Sequence, residues 1–203
     1  ANTAVAGDTA TIAITITTEN YSDVILSLTI TVTEKETQTI TFAESTQTKT
    51  YGDGGFTASA TLKEGNGTGA ITYESSNESV ATVNRDTGLV TIVGAGFANI
   101  RATKAADDNY FEATASYVLT VNPRTLTIKA DNKTAKVGEG EPEYTFKASG
   151  LVGGEQLTTP PTVTCPTVNM QVADNYPIVP KDADAGANYT INYVNGILTV
   201  EPL

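Results

Sequence analysis

Few residues in this chain could do chemistry, and what is missing decides more than what is present. The 203 residues contain no His, so Ser-His-Asp and Cys-His catalysis lack a base and His-bearing zinc sites lack a ligand. The single cysteine, Cys165, cannot close an internal disulfide. Val163, Cys165 and Thr167 alternate with Thr162 and Thr164, the pattern of a buried strand thiol rather than a reactive one. Two carboxylates could hydrolyse a glycosidic bond, but the acids gather in turn-like stretches such as Asp107-Asp108 and Asp182 to Asp184, where solvated loop acids are expected. Asp107, Asp108 and Asn109, and Asp182 with Asp184, also offer hard oxygen ligands to calcium at module junctions, although no twelve-residue calcium loop is present. Lys129 and Asn192 suit an intramolecular isopeptide bond by position alone. The expectation is a protein that is not an enzyme, with no catalytic residue, no metal site, no cofactor and no assignable ligand-binding residue.

The motif that does recur is Asn-Tyr. Asn20-Tyr21, Asn109-Tyr110 and Asn188-Tyr189 each stand ten residues ahead of the aliphatic residue opening a closing triplet: Ile30-Thr31-Val32, Leu119-Thr120-Val121 and Leu198-Thr199-Val200. Such a frame marks three copies of one module ending. Each Tyr either anchors a strand start through its ring while its hydroxyl meets backbone, as in the tyrosine corner of sandwiches, or offers a face for stacking on sugar. In the last copy, Asn195-Gly196 between alternating residues predicts a two-residue hairpin turn with positive φ at both positions. That hairpin pairs Val194 with Ile197 and puts Ile191, Tyr193, Leu198 and Val200 on one face.

The elements that must carry these motifs are strands. Thr is abundant, aromatic residues are 7% and Trp is absent, which suits half-buried pleated surfaces. No segment combines helix periodicity with caps. Thr9 to Thr18 and Val24 to Thr33 alternate around a polar turn at Glu19 to Ser22. Their apolar face of Ile12, Ile14 and Ile16, with Ile25 and Leu28 nearby, is more than about 34 residues can bury alone, so another strand pair is expected to cover it. Further strands are expected at 39–43, 56–62, around Ile71, Val80, Val90 and Ile100, and from Leu126 to Ala130. Val137-Gly138 takes the place of Tyr51-Gly52, nine residues beyond Ile128 and Phe42 respectively.

A formal net charge of −11, from 12 basic and 23 acidic residues, disfavours nucleic acid and anionic membrane as partners. No apolar run approaches the roughly 18 residues of a membrane span, and the N-terminus has no signal-peptide pattern.

Residues Gly69 to Val121 resemble the bacterial immunoglobulin-like group 2 domain of invasin and intimin type. The likeness rests on Ser75-Ser76-Asn77 before Val80-Ala81-Thr82-Val83, Thr87-Gly88-Leu89-Val90-Thr91, Gly94-Ala95-Gly96, and Ile100 with Ala102. Leu126 to Val200 resembles the MBG repeat of the YGX type, through Gly150-Leu151-Val152-Gly153-Gly154, Tyr176-Pro177-Ile178 and the Asn188-to-Val200 ending, with Val137 where an aromatic is expected. The resemblance implies an all-β chain of tandem immunoglobulin-like antiparallel β-sandwich modules in an elongated arrangement. Residues 1–36 are then the closing hairpin of a preceding module, 37–122 a group 2 sandwich and 123–203 an MBG sandwich. It further implies an extracellular or cell-surface bacterial protein whose partners are a host or environmental glycan or protein and neighbouring modules. The function expected is a semi-rigid stalk or display segment; the alternative is a carbohydrate-binding accessory module of a secreted polysaccharide-active enzyme.

Overall fold

The computed structural model describes residues 9–17, 19, 24–65 and 67–203; most of the Glu19-to-Ser22 turn, including Asn20-Tyr21, lies outside them. Every regular element among the described residues is a strand. At the N-terminus β1 (Thr9–Ile16) and β2 (Val24–Thr31) form an antiparallel two-stranded sheet. Its register sets Ile12 opposite Leu28 and Ile14 opposite Leu26, so one face is almost wholly aliphatic. The expected covering strands are not found among the described residues. Ile12, Ile14, Ile16, Leu26, Leu28 and Ile30 remain between 48% and 57% exposed.

The middle sandwich begins with β3 (Thr39–Thr41), β4 (Thr46–Thr50), β5 (Phe56–Thr57) and β6 (Thr61–Glu64). It continues with β7 (Ile71–Ser75), β8 (Ala81–Val83), β9 (Leu89–Ile92), β10 (Gly96–Lys104) and β11 (Ala113–Asn122). One sheet has the order β4-β11-β10-β7, and the strands β3-β6 and β5-β9-β8 cover it. Alternation works as the pleat requires: Ala98 and Ile100 of β10 and Tyr117, Leu119 and Val121 of β11 point inward with Val80, Ala81 and Val90, and Ala102 with Ile40 and Ala60, while Phe97, Asn99 and Arg101 face out. The expected strands at 39–43 and 56–62 are each shorter. The chain breaks at Phe42 to Ser45 and again at Ala58 to Ala60, because it crosses there from one sheet to the other. Sequence reading missed β4 altogether. Its sequence, TQTKT, has no aliphatic residue, and it is held by a parallel ladder to β11.

Beyond Pro123 come β12 (Arg124–Ala130), β13 (Lys133–Lys136), β14 (Phe146–Ser149), β15 (Thr162–Thr164), β16 (Asn175–Lys181), β17 (Tyr189–Val194) and β18 (Gly196–Glu201). They form the sheets β14-β12-β17 and β13-β18-β16-β15 around Ala130, Ile178, Leu198 and Val200. Here the Asn195-Gly196 hairpin expectation is corrected. β17 and β18 lie in different sheets, and neither Asn195 nor Gly196 has positive φ. Two strands change sheet at the same place, β12 to β13 at 131–132 and β17 to β18 at 195–196, joined by the Ile197 N–H on Asn132 Oδ1 at 2.9 Å. Gly196 is glycine because a Cβ there would fall 2.7 Å from the Asp131 carbonyl oxygen and 2.8 Å from that of Ala130. The shared-face assignment fails with the hairpin: Leu198 and Val200 are buried, whereas Tyr193 is exposed.

Among the described residues three strand pairings are parallel, β4 with β11, β12 with β17 and β13 with β18. In each sandwich the divided first strand joins the closing strand.

Candidate functional site

Of the acids singled out as calcium or catalytic candidates, Asp107 and Asp184 serve backbone. Asp107 Oδ2 accepts from the Thr68 N–H at 2.5 Å, and its Oδ1 from the N–H groups of Asn109 and Tyr110, both at 2.9 Å. Those amides, Thr68 foremost, hold the Asp107 carboxyl down at about 2 because they stabilise only the ionised form. Asp184 accepts from Gly186 N–H at 2.8 Å and bridges Thr159, and Asp182 lies 3.9 Å from the Lys181 amine. Among the described residues no three acidic or sulfur ligands gather closely enough to hold an ion. Lys129 and Asn192 are both exposed and are not register partners; Lys129 pairs with Val194 and Asn192 with Thr127. Cys165 is buried in the C-terminal core just past β15, where burial pushes its thiol up.

The Asn-Tyr frame, by contrast, has one job in both sandwiches. The Asn109 carbonyl accepts the N–H of Glu36 at 2.7 Å, and that of Asn188 accepts the N–H of Arg124 at 2.9 Å. In each case the donor is the residue by which the chain comes into that sandwich, and it pairs in parallel with the adjacent tyrosine, Glu36 with Tyr110 and Arg124 with Tyr189. The motif is a socket for the incoming linker.

At the second socket the side chains also reach back to the preceding sandwich. Asn188 Oδ1 accepts the Ala95 N–H at 2.8 Å. Tyr189 and Tyr51 meet edge to face, ring centroids 5.5 Å apart at 85°, a favoured aromatic geometry. Between them lies the Glu155 carboxylate: Tyr51 Oη donates to Oε1 at 2.6 Å and Tyr189 Oη donates to Oε2. Tyr189 Oη in turn accepts the Val152 N–H at 2.8 Å. Val152 and Tyr189, from the C-terminal sandwich, pack on the core that contains Tyr51, Val80 and Leu119. Arg124 Nη1 completes the joint on the Tyr51 carbonyl at 3.4 Å.

The electrostatics match this wiring. The Tyr189 and Tyr51 hydroxyls hold the Glu155 carboxyl below its ordinary value. Tyr51 is raised, first by its bond to Glu155, and Tyr189 is raised by burial and then by Glu155. Glu155 was not legible in advance. Gly150, Gly153 and Gly154 all take positive φ, curling the loop so that Val152 and Glu155 both meet the tyrosines. The hint was a lone acid after a Gly-Gly pair. For Tyr189 the anchoring reading holds in this geometry: ring on core, hydroxyl on backbone.

The described residues include no helix long and apolar enough to cross a membrane. No curated protein matches the sequence. Among solved structures it is similar to mouse cadherin-23 EC22-24 at 12% identity and a TM-score of 0.36, over 96% of this chain and 74% of that one. Human CDH23 EC21-23 matches at 12% identity and TM-score 0.38, over 88% and 67%. Drosophila N-cadherin EC1-3 matches at 12% identity and TM-score 0.33, over 89% and 74%. The family model of the intimin immunoglobulin-like domain matches residues 56–106, and that of the MBG domain (YGX type) matches residues 126–199. The chain thus carries an intimin-type immunoglobulin-like domain followed by an MBG domain, types that fit a cell-surface, adhesin-like module.

Proposed function

We propose that this chain is a non-enzymatic, semi-rigid stalk or display segment of a secreted or cell-surface bacterial protein. Its units are a closing hairpin at 1–36, a group 2 sandwich at 37–122 and an MBG sandwich at 123–203. The observation that carries this reading is the joint. A linker only needs to connect, yet here Tyr51, Glu155, Tyr189 and Asn188 tie the two sandwiches together across it, with Tyr189 packed on the middle core. A flexible tether has no use for aromatic packing and charge-assisted bonds between its beads, whereas a spacer that projects a distal part needs them. The repeated linker socket supports serial assembly of such units, with neighbouring modules as the first partners. For 1–36, the frame that buries Leu119 and Leu198 leaves Ile30 on a bare aliphatic face, which is what a closing hairpin presents to the rest of its own core.

Small-angle X-ray scattering of the 203-residue chain tests the reading. One fixed angle between the sandwiches should describe the curve, and the Tyr51→Ala, Glu155→Ala double variant should need a spread of angles. A wild-type curve that already needs that spread contradicts the stalk.

A further inference from the structure

In both sandwiches the closing strand has a neighbour on each side. β11 lies between antiparallel β10 and parallel β4, and β18 between antiparallel β16 and parallel β13. β2 runs into the same frame at Ile30-Thr31-Val32, yet it has only its antiparallel neighbour β1 and, among the described residues, no strand on its other edge. An open edge beside a bare aliphatic face is a template for another strand, and a two-stranded sheet is marginal without one.

What fits that edge can be read from the two filled ones, because both are filled in one register. Gln47 stands opposite Leu119 and Lys133 opposite Leu198; four residues on, the Tyr51 N–H donates to the Asn122 carbonyl and the Val137 N–H to that of Glu201. The two parallel strands also share a sequence: Thr48 and Thr134 are each followed, three residues later, by Tyr51-Gly52-Asp53 or Val137-Gly138-Glu139. In each the glycine has a φ of 84° and the acid caps the strand's last N–H, at Thr50 or Lys136. Moved onto β2, this register aims the N–H of the Tyr or Val at the Thr33 carbonyl. Thr29 takes the place of Val118, whose N–H donates to the Ser45 carbonyl at 3.1 Å, so Thr29 and, by the period of two, Thr31 face the open edge. A second copy is a poor occupant: its hairpin laid on the aliphatic face would leave the edge unpaired, and its β4 and β13 are already held by their own closing strands.

We propose that the free edge of β2 binds, in parallel, the opening segment of another module of this kind, marked by Thr-x-x, then Tyr or Val, then Gly and an acid, with its flanking strands laid over Ile12, Ile14, Leu26 and Leu28. Main-chain bonds supply the affinity, and the register supplies the selectivity. The assignment rests on the reading of 1–36 as a closing hairpin. The stalk itself is judged by the angle between the two sandwiches, which none of the outcomes below moves.

The test is an NMR titration of the isotope-labelled 203-residue chain with an unlabelled synthetic peptide of residues 39–64, which carries β4 together with β3, β5 and β6 from the covering sheets. Taken to about 1 mM, it reads a Kd of up to about 1 mM. The peptide should give saturable shifts at the Thr29 and Thr31 amides. A spin label on the peptide should broaden Leu28 more than Thr33 when carried at Ser45→Cys, and Thr33 more than Leu28 when carried at Gly54→Cys, the signature of a parallel strand. Thr31→Pro in the chain removes one outward N–H and should weaken binding about tenfold or more. Should that variant lose the hairpin, Tyr51→Pro in the peptide, which removes the donor to Thr33, must weaken binding by a similar factor. Absence of saturation, an inverted broadening pattern, equal binding of a scrambled peptide, or hairpin shifts that follow chain concentration alone and so mark pairing with a second copy overturns the proposal.

Discussion

The turn that follows β4 and the turn that follows β13 share one backbone pattern, although only Gly138 N–H also donates, to the Met170 carbonyl at 2.8 Å. Tyr51 N–H donates to the Asn122 carbonyl and Val137 N–H to that of Glu201, both at 2.9 Å. Thr50 N–H is capped by Asp53 at 2.9 Å and Lys136 N–H by Glu139 at 2.7 Å, and Gly52 and Gly138 share a φ of 84°. Their surroundings differ completely. A Cβ on Gly52 would lie 2.5 Å from Val152 Cγ2, whereas one on Gly138 would meet nothing within 4 Å. The common backbone is therefore what the sandwich needs, and what differs, Tyr51 against Val137 and a filled space against an open one, is what the joint needs.

Substitutions can separate the two layers. Tyr51→Ala removes a buried ring shared by the middle core and the joint, and should cost about 3–5 kcal/mol, as large aromatic truncations do. Val137→Ala, losing about two methylene equivalents, should cost about 1–2 kcal/mol. Chemical denaturation of both variants checks this, and equal losses would mean the joint adds nothing at Tyr51. Next in size, Gly138→Ala should cost about 1–2 kcal/mol for the left-handed backbone alone, while Gly52→Ala carries that cost plus about 1 kcal/mol or more for displacing Val152. Matching melting shifts for the two alanine variants would erase the distinction.

Alternation in β10, β11, β12 and β18 was legible because each has one face on a core, and the pleat then dictates which residues are apolar. Asn195-Gly196 misled because a two-residue turn and a sheet crossover look identical locally. The choice was made by Ala130 and Asp131, whose carbonyls approach Gly196 from far away in sequence. β4 was hidden because a Thr-rich edge strand held by parallel backbone bonds needs no hydrophobic signature. The joint was half visible: the Asn-Tyr frame stood out by repetition, but Glu155 is one loop acid among many until Tyr51 and Tyr189 are placed around it.

The smallest expected effect is also specific to the joint. Glu155 has a depressed carboxyl, so its contribution is present above the ordinary Glu value of about 4.3 and fades as pH falls through its lower folded value. Tyr51 and Tyr189 are raised, so theirs is present below about 10 and fades as pH rises through their folded values. Glu155→Gln should remove the acid limb of this dependence while leaving each sandwich folded. Amide chemical shifts at Val152 and Ala95, followed against pH, check it, and an unaltered acid limb in Glu155→Gln would assign that limb to another group.

The central claim, that the two sandwiches move as one body, is tested most directly by residual dipolar couplings measured separately for residues 37–122 and 123–203 in one aligned sample. A single alignment tensor, equal in magnitude and orientation for both sets, is the result predicted at neutral pH. Two tensors of unequal magnitude would show the sandwiches reorienting independently across Pro123 and would contradict the account.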